Sequence, residues 1–249
     1  MNESILSAWD IAEAQPATDA NPRELLIHAV NYAILAPSSH NSQPWQFRIT
    51  GEQLELYADR TRALAVVDHA DRELVISCGA ALFCVRATLQ HLGVEPLIEL
   101  EPEGPASDLL ARVGVGKRRS ATEADHALFQ AITQRRTTRT PFEARDLPDT
   151  LQRSLADAAE GEGAALWVMR TPQQRTELAE LIAQADQEQW SDPRVRRELA
   201  AWIHPNRRAS RDGVPGYAIG MGDIMSSVAP IVMRTFDLGG GIAARDRDI

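Results

Sequence analysis

Residues 71–92 carry the pattern that most constrains how this chain folds, an apolar stripe with the period of an α-helix. The stripe consists of Leu74, Val75, Cys78, Leu82, Val85, Leu89 and Leu92, and Gly93 follows it. Residues three and four positions apart lie on one helix face, and glycine is favoured just after a helix ends. The pattern therefore predicts one long helix that packs an apolar face against the core.

The two cysteines, Cys78 and Cys84, both fall within this helix pattern. Their six-residue spacing corresponds to about 240° of rotation around a helix, so the two side chains do not share a face. We expect two buried thiols in a reducing compartment, and neither a disulfide nor a metal site.

A shorter helix is predicted from residue 22, ahead of a polar loop. Asn21 as N-cap, Pro22 and Glu24 form a helix start signal of the capping-box type. The helix is expected to end at Ala36, because Pro37 disfavours helical backbone in the residue before it.

Alternating apolar residues predict strands on both sides of the long helix. Residues 45–49 and 54–57 alternate around a Thr50-Gly51 turn, which predicts a β-hairpin. Residues 94–101 are predicted to form a further strand. Residues 102–120 are predicted to be a loop.

A second block of elements follows residue 121 and resembles the first. It is predicted to contain a helix after Thr122, a turn at Thr140-Pro141, a helix around residues 151–159, a strand at residues 164–169 and a helix from residue 172. Helix-then-strand units start at Leu25 and Leu151, with Trp45 and Trp167 in the strands. This similarity indicates an internal repeat, and chance similarity of two such units is the alternative.

Composition narrows the class of protein. The chain has 249 residues, a net charge of −9, 44% hydrophobic and 24% charged residues, which is typical of a globular protein with one large domain or two small ones. The acidic balance argues against nucleic-acid binding. No apolar run long enough for a membrane span is apparent. Residues 1–15 contain no Lys or Arg, so no signal peptide is expected, and a cytoplasmic location is predicted.

Two polar clusters are the candidates for a binding site. Pro37, Ser38, Ser39 and Asn41 stand in the loop between the first helix and the first strand, where hydroxyl and amide groups can face a flat heterocycle; a plain connection with Ser and Asx turns is the alternative. Arg135, Arg136, Thr137 and Arg139 follow a helix, and guanidinium groups bind phosphate well; a solvated charged face is the alternative.

Other constellations are weaker. Gly114-Val115-Gly116-Lys117 lacks the spacing of a phosphate loop, and the six histidines lack metal-ligand spacing. No nucleophile elbow is present, and aspartates near His69 are expected to cap helices and turns. The region 213–241 holds seven of the fifteen glycines and three of the five methionines, which is compatible with a packed helix or with a mobile flap over a ligand.

The two clusters together resemble the nitroreductase superfamily. The segment Ala36-Pro37-Ser38-Ser39-His40-Asn41-Ser42-Gln43-Pro44-Trp45 is similar to the family segment that borders flavin, and residues 135–139 are similar to the segment that holds the phosphate and ribityl chain of FMN. Ordinary members have these segments in the opposite order and close together. The order here resembles the Acg-like FMN-binding subfamily.

That resemblance implies an α+β nitroreductase-like fold in which two homologous halves form an intramolecular pseudo-dimer. The halves would be residues 1–120 and 121–202, followed by a Gly/Met-rich lid-like segment at 203–249. The family continues with a strand, a long helix and a basic segment that contacts the phosphate, so the second half is incomplete here. A monomeric pseudo-dimer and a homodimer both remain open.

The resemblance also implies a function. It implies an FMN-dependent oxidoreductase that takes electrons from NAD(P)H and passes them to a small organic acceptor such as a nitro compound or quinone. Pro37, Ser38, Ser39, Asn41, Arg135, Arg136, Thr137 and Arg139 would bind the cofactor; flavin N5 would carry the chemistry, without a catalytic side chain or a metal. An FMN-binding or storage protein with a lid-blocked site is the alternative, and a flavin-free scaffold is a third possibility.

Overall fold

A computed structural model describes residues 16–17, 19–139, 142–143 and 145–247. Three features predicted from the sequence lie outside these residues in whole or in part. They are the segment 1–15 without basic residues, the turn at Thr140-Pro141 and the last two residues of the lid-like segment.

An antiparallel four-stranded sheet forms the centre of the fold. Its strands are β1 (Trp45–Thr50), β2 (Gln53–Ala58), β3 (Val94–Leu100) and β4 (Leu109–Arg118), in the order β1-β2-β4-β3. β1 and β2 form the predicted hairpin, with Trp45 opposite Ala58 and Thr50 opposite Gln53. Gly51 adopts a φ of 60° in the turn, a conformation that glycine allows without strain.

β4 corrects the sequence prediction, which placed a loop over residues 102–120. Leu109, Ala111 and Val113 alternate along the strand and are buried, so the expected period of two is present. Two glycines and several basic residues at the end of the strand obscure that period. Gly116 is needed there because a Cβ atom would lie 2.9 Å from the carbonyl oxygen of Glu95 on the paired strand.

Two helices cover one face of the sheet. The helix α1 (Pro22–Ala33) begins with the predicted capping box, in which Asn21 Oδ1 accepts from the Glu24 N–H and Glu24 Oε2 accepts from the Asn21 N–H. It ends three residues before the predicted Ala36, in a turn. The long helix α2 (Arg72–His91) forms as predicted and buries Leu74, Val85 and Leu89 against α1 and the strands.

By length and composition α2 is also the one described helix that could cross a membrane, contrary to the expectation that the sequence has no such run. Half of the residues in its most apolar window are buried within the protein. Core helices commonly have this composition.

Both cysteines lie in α2 as free, buried thiols. The Cys78 Sγ donates to the carbonyl oxygen of Pro44 over 3.2 Å. Burial raises the pKa of Cys78 to about 12 and the pKa of Cys84 to about 11. Both thiols are therefore protonated and unreactive at neutral pH.

The helix α3 (Glu123–Gln134) closes this core. It begins with a capping box between Thr122 and Asp125, and it buries Phe129 and Ile132. The ring of Phe129 stacks on His91 at the end of α2, with centroids 3.8 Å apart. These contacts fix the end of α3, from which the arginine cluster continues.

The remaining elements are mostly helical. They are α4 (Asp149–Gly161), α5 (Pro172–Ser191), α6 (Pro193–Trp202), the two-residue parallel strands β5 (Ile203–His204) and β6 (Val214–Pro215), α7 (Asp223–Thr235) and α8 (Gly239–Arg247). Helices α5 and α8 pack together, as do α6 and α7. No side chain of α4 is buried.

The strand predicted at residues 164–169 does not form. The segment has no regular secondary structure and no neighbouring strand among the described residues, and Trp167 is 82% exposed. A strand requires a paired backbone, which an apolar run alone does not supply. Within the described residues the second helix-strand unit of the predicted repeat therefore lacks its strand, and the mixed helix and sheet fold does not show two equivalent halves there.

Candidate functional site

The polar loop between α1 and β1, residues 37–44, has a strained backbone that turns its side chains in different directions. His40, Asn41 and Gln43 have φ values of 52°, 53° and 52°. Such positive values are uncommon for residues other than glycine. The Ser38 Oγ accepts from the Gln43 N–H over 2.9 Å and closes the loop internally. We refer to residues 37–44 as the Ser/Asn loop.

The arginine cluster, residues 135–139, begins where α3 ends. Arg135 Nη2 donates to the carbonyl oxygen of Leu35 over 3.1 Å, and its Nη1 donates to Thr137 Oγ1 over 3.3 Å. Arg136 Nη1 donates to the carbonyl oxygens of Thr133 and Arg135. Burial lowers the pKa of Arg135 from its ordinary value. Arg135 therefore ties the cluster to the end of α1, next to the Ser/Asn loop.

A cavity of about 320 Å³ lies between the Ser/Asn loop and the arginine cluster. It is lined by residues 34–38, Asn41, Gln43, Arg135, Arg136, Thr137, Arg139, residues 210–215, Tyr217 and Ala218. Residues 210–215, which we call the cavity wall, come from the segment between β5 and the end of β6. Three separate stretches of the chain thus meet at one opening.

Hydrogen bonds fasten the cavity wall to the Ser/Asn loop. Asn41 Nδ2 donates to the carbonyl oxygens of Arg211, over 3.2 Å, and Gly213, over 3.0 Å. The Gly213 N–H donates back to the Asn41 carbonyl oxygen over 3.1 Å. Gln43 Nε2 donates to the Arg211 carbonyl oxygen over 2.6 Å. Both hydrogens of the Asn41 amide are therefore used within the protein, while its Oδ1 accepts from Gln43 Nε2 over 3.5 Å and has a second lone pair for a further donor.

An ion pair reinforces the cavity wall. Arg62 Nη1 donates to Asp212 Oδ2 over 3.0 Å and to the Ser42 carbonyl oxygen over 2.7 Å. Burial acts to raise the pKa of Asp212, but hydrogen bonds from Ser210 and Arg62 and the nearby positive charge outweigh it, so the pKa lies below its usual value. Asp212 is thus charged at neutral pH and holds Arg62.

Gly213 is required by the shape of the wall. Its φ is 72°, and a Cβ atom there would overlap the ring of His204. The chain is therefore closely packed at Gly213, where it enters β6, the strand that pairs with β5.

The charge of the cavity differs from that of the whole chain. Among the described residues, four arginines and a single acid, Asp212, line it, whereas the chain carries a net charge of −9. Asp212 is already paired with Arg62. A positive cavity in an acidic protein attracts anionic ligands over other solutes.

His40 lies beside the cavity rather than in it. Burial lowers the pKa of its imidazole; the charge of Arg139 acts in the same direction, while Glu73 and Glu198 oppose it. Its Nδ1 is buried and makes no hydrogen bond among the described residues. The imidazole is therefore neutral at pH 7 and adds no positive charge to the site.

The structure brings seven of the eight predicted site residues to this cavity. The Ser/Asn loop contributes Pro37, Ser38 and Asn41, and the arginine cluster contributes Arg135, Arg136, Thr137 and Arg139. Ser39 is not among the lining residues. Its Oγ donates to Glu73 Oε2 over 2.5 Å, and its N–H donates to Ser77 Oγ over 3.3 Å, so it anchors the loop to α2.

The site residues predicted from the sequence did not include Gln43, Arg62 or Arg211. Gln43 stands within the Ser/Asn loop, so its polar side chain was a visible signal. Arg62 and Arg211 belong to the site through contacts 150 or more residues apart in the chain, which no local pattern reveals.

The sequence of this chain has relatives among known proteins. No protein-family model matches the chain. A Mycobacterium tuberculosis protein that bears the name "Putative NAD(P)H nitroreductase" is 33% identical to this chain over 183 residues, which are 74% of this chain and 52% of the relative. The relative named acg, from the same organism and with the same description, is 34% identical over 119 residues, 48% of this chain and 36% of the relative.

The chain is therefore similar in sequence to proteins that are named as nitroreductases. The chain spans about half the length of the curated relatives it matches. A crystal structure of a nitroreductase family protein from Streptococcus pneumoniae aligns with 51% of this chain and 90% of its own, at 18% identity and a TM-score of 0.30. That score is too low to define a common fold.

Proposed function

We propose that the chain is the flavin-binding part of an FMN-dependent oxidoreductase that accepts electrons from NAD(P)H. One observation carries the proposal. The Ser/Asn loop and the arginine cluster, which are about a hundred residues apart in sequence, line the same positively charged cavity. The similarity to proteins named NAD(P)H nitroreductases supports it.

The residues that line the cavity have the charge and polarity needed to bind an FMN molecule. The cavity volume of about 320 Å³ lies at the lower end of the range for small-molecule sites. The arginine cluster supplies the positive charge that a phosphate ester requires, and Thr137 supplies a hydroxyl. The apolar residues 34–37, which also line the cavity, suit a flat ring system.

The side chains of this site would bind and orient rather than react. Arg139 would pair with the phosphate, and Asn41 Oδ1 would accept a hydrogen bond from the ring edge. The cavity wall would exclude water from one side. When bound, FMN supplies hydride and electron transfer, and nearby positive charge favours its reduced form.

A second candidate is an FMN-binding or storage protein with little turnover. The fastening of the cavity wall by Asn41, Gln43 and Arg62 favours it, because a wall held by several bonds restricts access of a second substrate. The two candidates share the cofactor and differ in turnover.

Anaerobic addition of NADPH or NADH to the FMN-loaded chain separates the two candidates. Loss of the flavin's yellow absorption within seconds to minutes, followed by recovery on adding a quinone or a nitroaromatic compound, supports the oxidoreductase. A spectrum that stays oxidised over hours, while chemical reduction by dithionite still bleaches it, supports storage.

The finer features of the resemblance belong to the same proposal. They are an Acg-like division of one flavin site between two halves at residues 1–120 and 121–202, assembly as a monomeric pseudo-dimer or a homodimer, and a cytoplasmic location. The contribution of residues on both sides of position 120 to one cavity supports the division of the site.

A further inference from the structure

The four arginines that line the cavity differ in whether their guanidinium groups already have hydrogen-bond partners. The guanidinium groups of Arg135 and Arg136 already donate to backbone carbonyl oxygens. The side chains of Arg139 and Arg211 make no hydrogen bond or ion pair within the described part of the chain. The capacity for new anionic partners is therefore concentrated in two residues, which come from different segments.

Arg139 and Arg211 lie on two different segments of the chain that line the cavity. Arg139 is part of the arginine cluster after α3, whereas Arg211 is part of the cavity wall. The backbone of Arg211 is held in place, because its carbonyl oxygen accepts from both Asn41 Nδ2 and Gln43 Nε2. The next residue, Asp212, is held by Arg62. Because the backbone is already fixed, binding at Arg211 has to order only its side chain and not the segment that carries it.

The electrostatics leave positive charge for more than one anion. The acid of the wall, Asp212, accepts hydrogen bonds from Arg62 and Ser210, and within the described residues it forms no ion pair with Arg211. A phosphate ester carries about two negative charges. The four cavity arginines exceed that need.

We propose that Arg211 binds the anionic group of a second ligand, distinct from the phosphate of the cofactor. The ligand class is a small molecule with a phosphate or a carboxylate. The first source is a phosphorylated dinucleotide, and the second is a carboxylate-bearing acceptor. The proposal rests on the proposed function in placing the FMN phosphate at the arginine cluster, and it extends that function to the choice of the second ligand.

The test measures binding, without turnover. The wild-type chain, Arg211→Gln, Arg139→Gln and the control Arg197→Gln are titrated by calorimetry with FMN; each FMN-loaded protein is then titrated with NADP⁺, NAD⁺, benzoate and benzamide. Arg197 is an exposed arginine on α6 that does not line the cavity. NADP⁺ against NAD⁺ isolates a phosphate, and benzoate against benzamide isolates a carboxylate.

We expect Arg211→Gln to weaken the binding of NADP⁺ or benzoate by about tenfold or more, the size of one lost charged hydrogen bond. The affinity of the same variant for FMN, for NAD⁺ and for benzamide is expected to change by less than about twofold. Loss for NADP⁺ assigns the site to a dinucleotide phosphate, and loss for benzoate assigns it to an acceptor carboxylate.

Two results overturn the proposal. In the first, Arg211→Gln lowers FMN affinity as much as Arg139→Gln does, which assigns both arginines to one phosphate. In the second, neither anion distinguishes Arg211→Gln from Arg197→Gln. If the wild-type chain binds no FMN, the proposed function fails, and the same four titrations on the flavin-free proteins still decide the role of Arg211.

Discussion

At the scale of single residues, sequence neighbours in this site have different tasks. Ser38 lines the cavity, while the adjacent Ser39 bonds to Glu73 on α2. Arg135 ties α3 to the end of α1, while Arg139 remains available. The residue types of a binding site were visible in the sequence, but the direction of each side chain depends on backbone geometry that local patterns do not specify.

Arg139→Ala should weaken FMN binding, because the Arg139 guanidinium makes no hydrogen bond or ion pair with the residues that the structure describes. The expected loss is about tenfold or more, with no comparable loss for riboflavin, which lacks the phosphate. Fluorescence titration with both flavins measures it. Arg197→Ala is the matched control, and equal FMN affinity in the two variants contradicts the phosphate assignment.

Asn41→Ala should loosen the cavity wall. The change removes the side-chain bonds to the Arg211 and Gly213 carbonyl oxygens, while the bond from Gln43 to Arg211 remains. Amide hydrogen exchange measured by mass spectrometry is expected to rise in residues 210–215 and to stay unchanged in β1 and β2. Unchanged exchange in the wall shows that Asn41 does not hold it.

At the scale of secondary structure, helices were predicted more reliably than strands. Capping boxes at Asn21 and Thr122 mark helix starts within a few residues of sequence, and the structure has both. Strands depend on partners from elsewhere in the chain. β4 forms despite its glycines because it lies between β2 and β3, whereas residues 164–169 have an apolar run but no strand beside them in the described part of the chain.

The start of α3 should be sensitive to acid. Arg119 and the Thr122 N–H hold the pKa of Asp125 well below its usual value. Because the folded pKa is lowered, the stabilisation is complete above the unfolded value of about 4 and is lost as the pH falls through the folded value. Asp125→Asn is therefore expected to lower the free energy of unfolding by about 1 kcal/mol at pH 7.

The pH dependence of that difference is the decisive readout. Urea unfolding of wild type and Asp125→Asn at pH 7, 5 and 3 should show a constant difference between the first two and a smaller one at pH 3. The control is Glu123→Gln, which changes an acidic residue two positions before Asp125 that takes no part in the capping box. A difference that stays constant down to pH 3 contradicts the role of the charged carboxylate.

At the scale of the whole molecule, the core is concentrated between residues 20 and 132. The largest cluster of buried apolar residues lies in this range and includes the sheet, α1, α2 and part of α3. α4 buries no side chain, and Leu151, Leu155 and Trp167 are exposed. The stability of the described fold is expected to come mainly from its first half.

A pair of leucine substitutions tests this distribution. Leu89→Ala, in α2, removes a fully buried side chain and should lower the free energy of unfolding by about 2–5 kcal/mol. Leu155→Ala, in α4, changes a side chain that is 47% exposed and should alter it by less than about 1 kcal/mol. Chemical denaturation followed by tryptophan fluorescence measures both; losses of equal size contradict the distribution.

Only part of the candidate site could be predicted from the sequence. The Ser/Asn loop and the arginine cluster were identified separately, and only the family resemblance joined them. The fold brings them together through Arg135, which reaches Leu35 across a hundred positions of sequence. The cavity wall was anticipated only as a glycine-rich flap, because its bonds to Asn41, Gln43 and Arg62 arise from tertiary contacts.

We propose above all that the cavity between the Ser/Asn loop and the arginine cluster binds FMN. Its most direct test is an equilibrium titration of the folded wild-type chain with FMN and with riboflavin, followed by flavin fluorescence and visible absorption. We predict saturable binding of one FMN per chain, weaker binding of riboflavin and a loss of FMN affinity at high salt. A folded chain that binds neither flavin, or both equally, contradicts the claim.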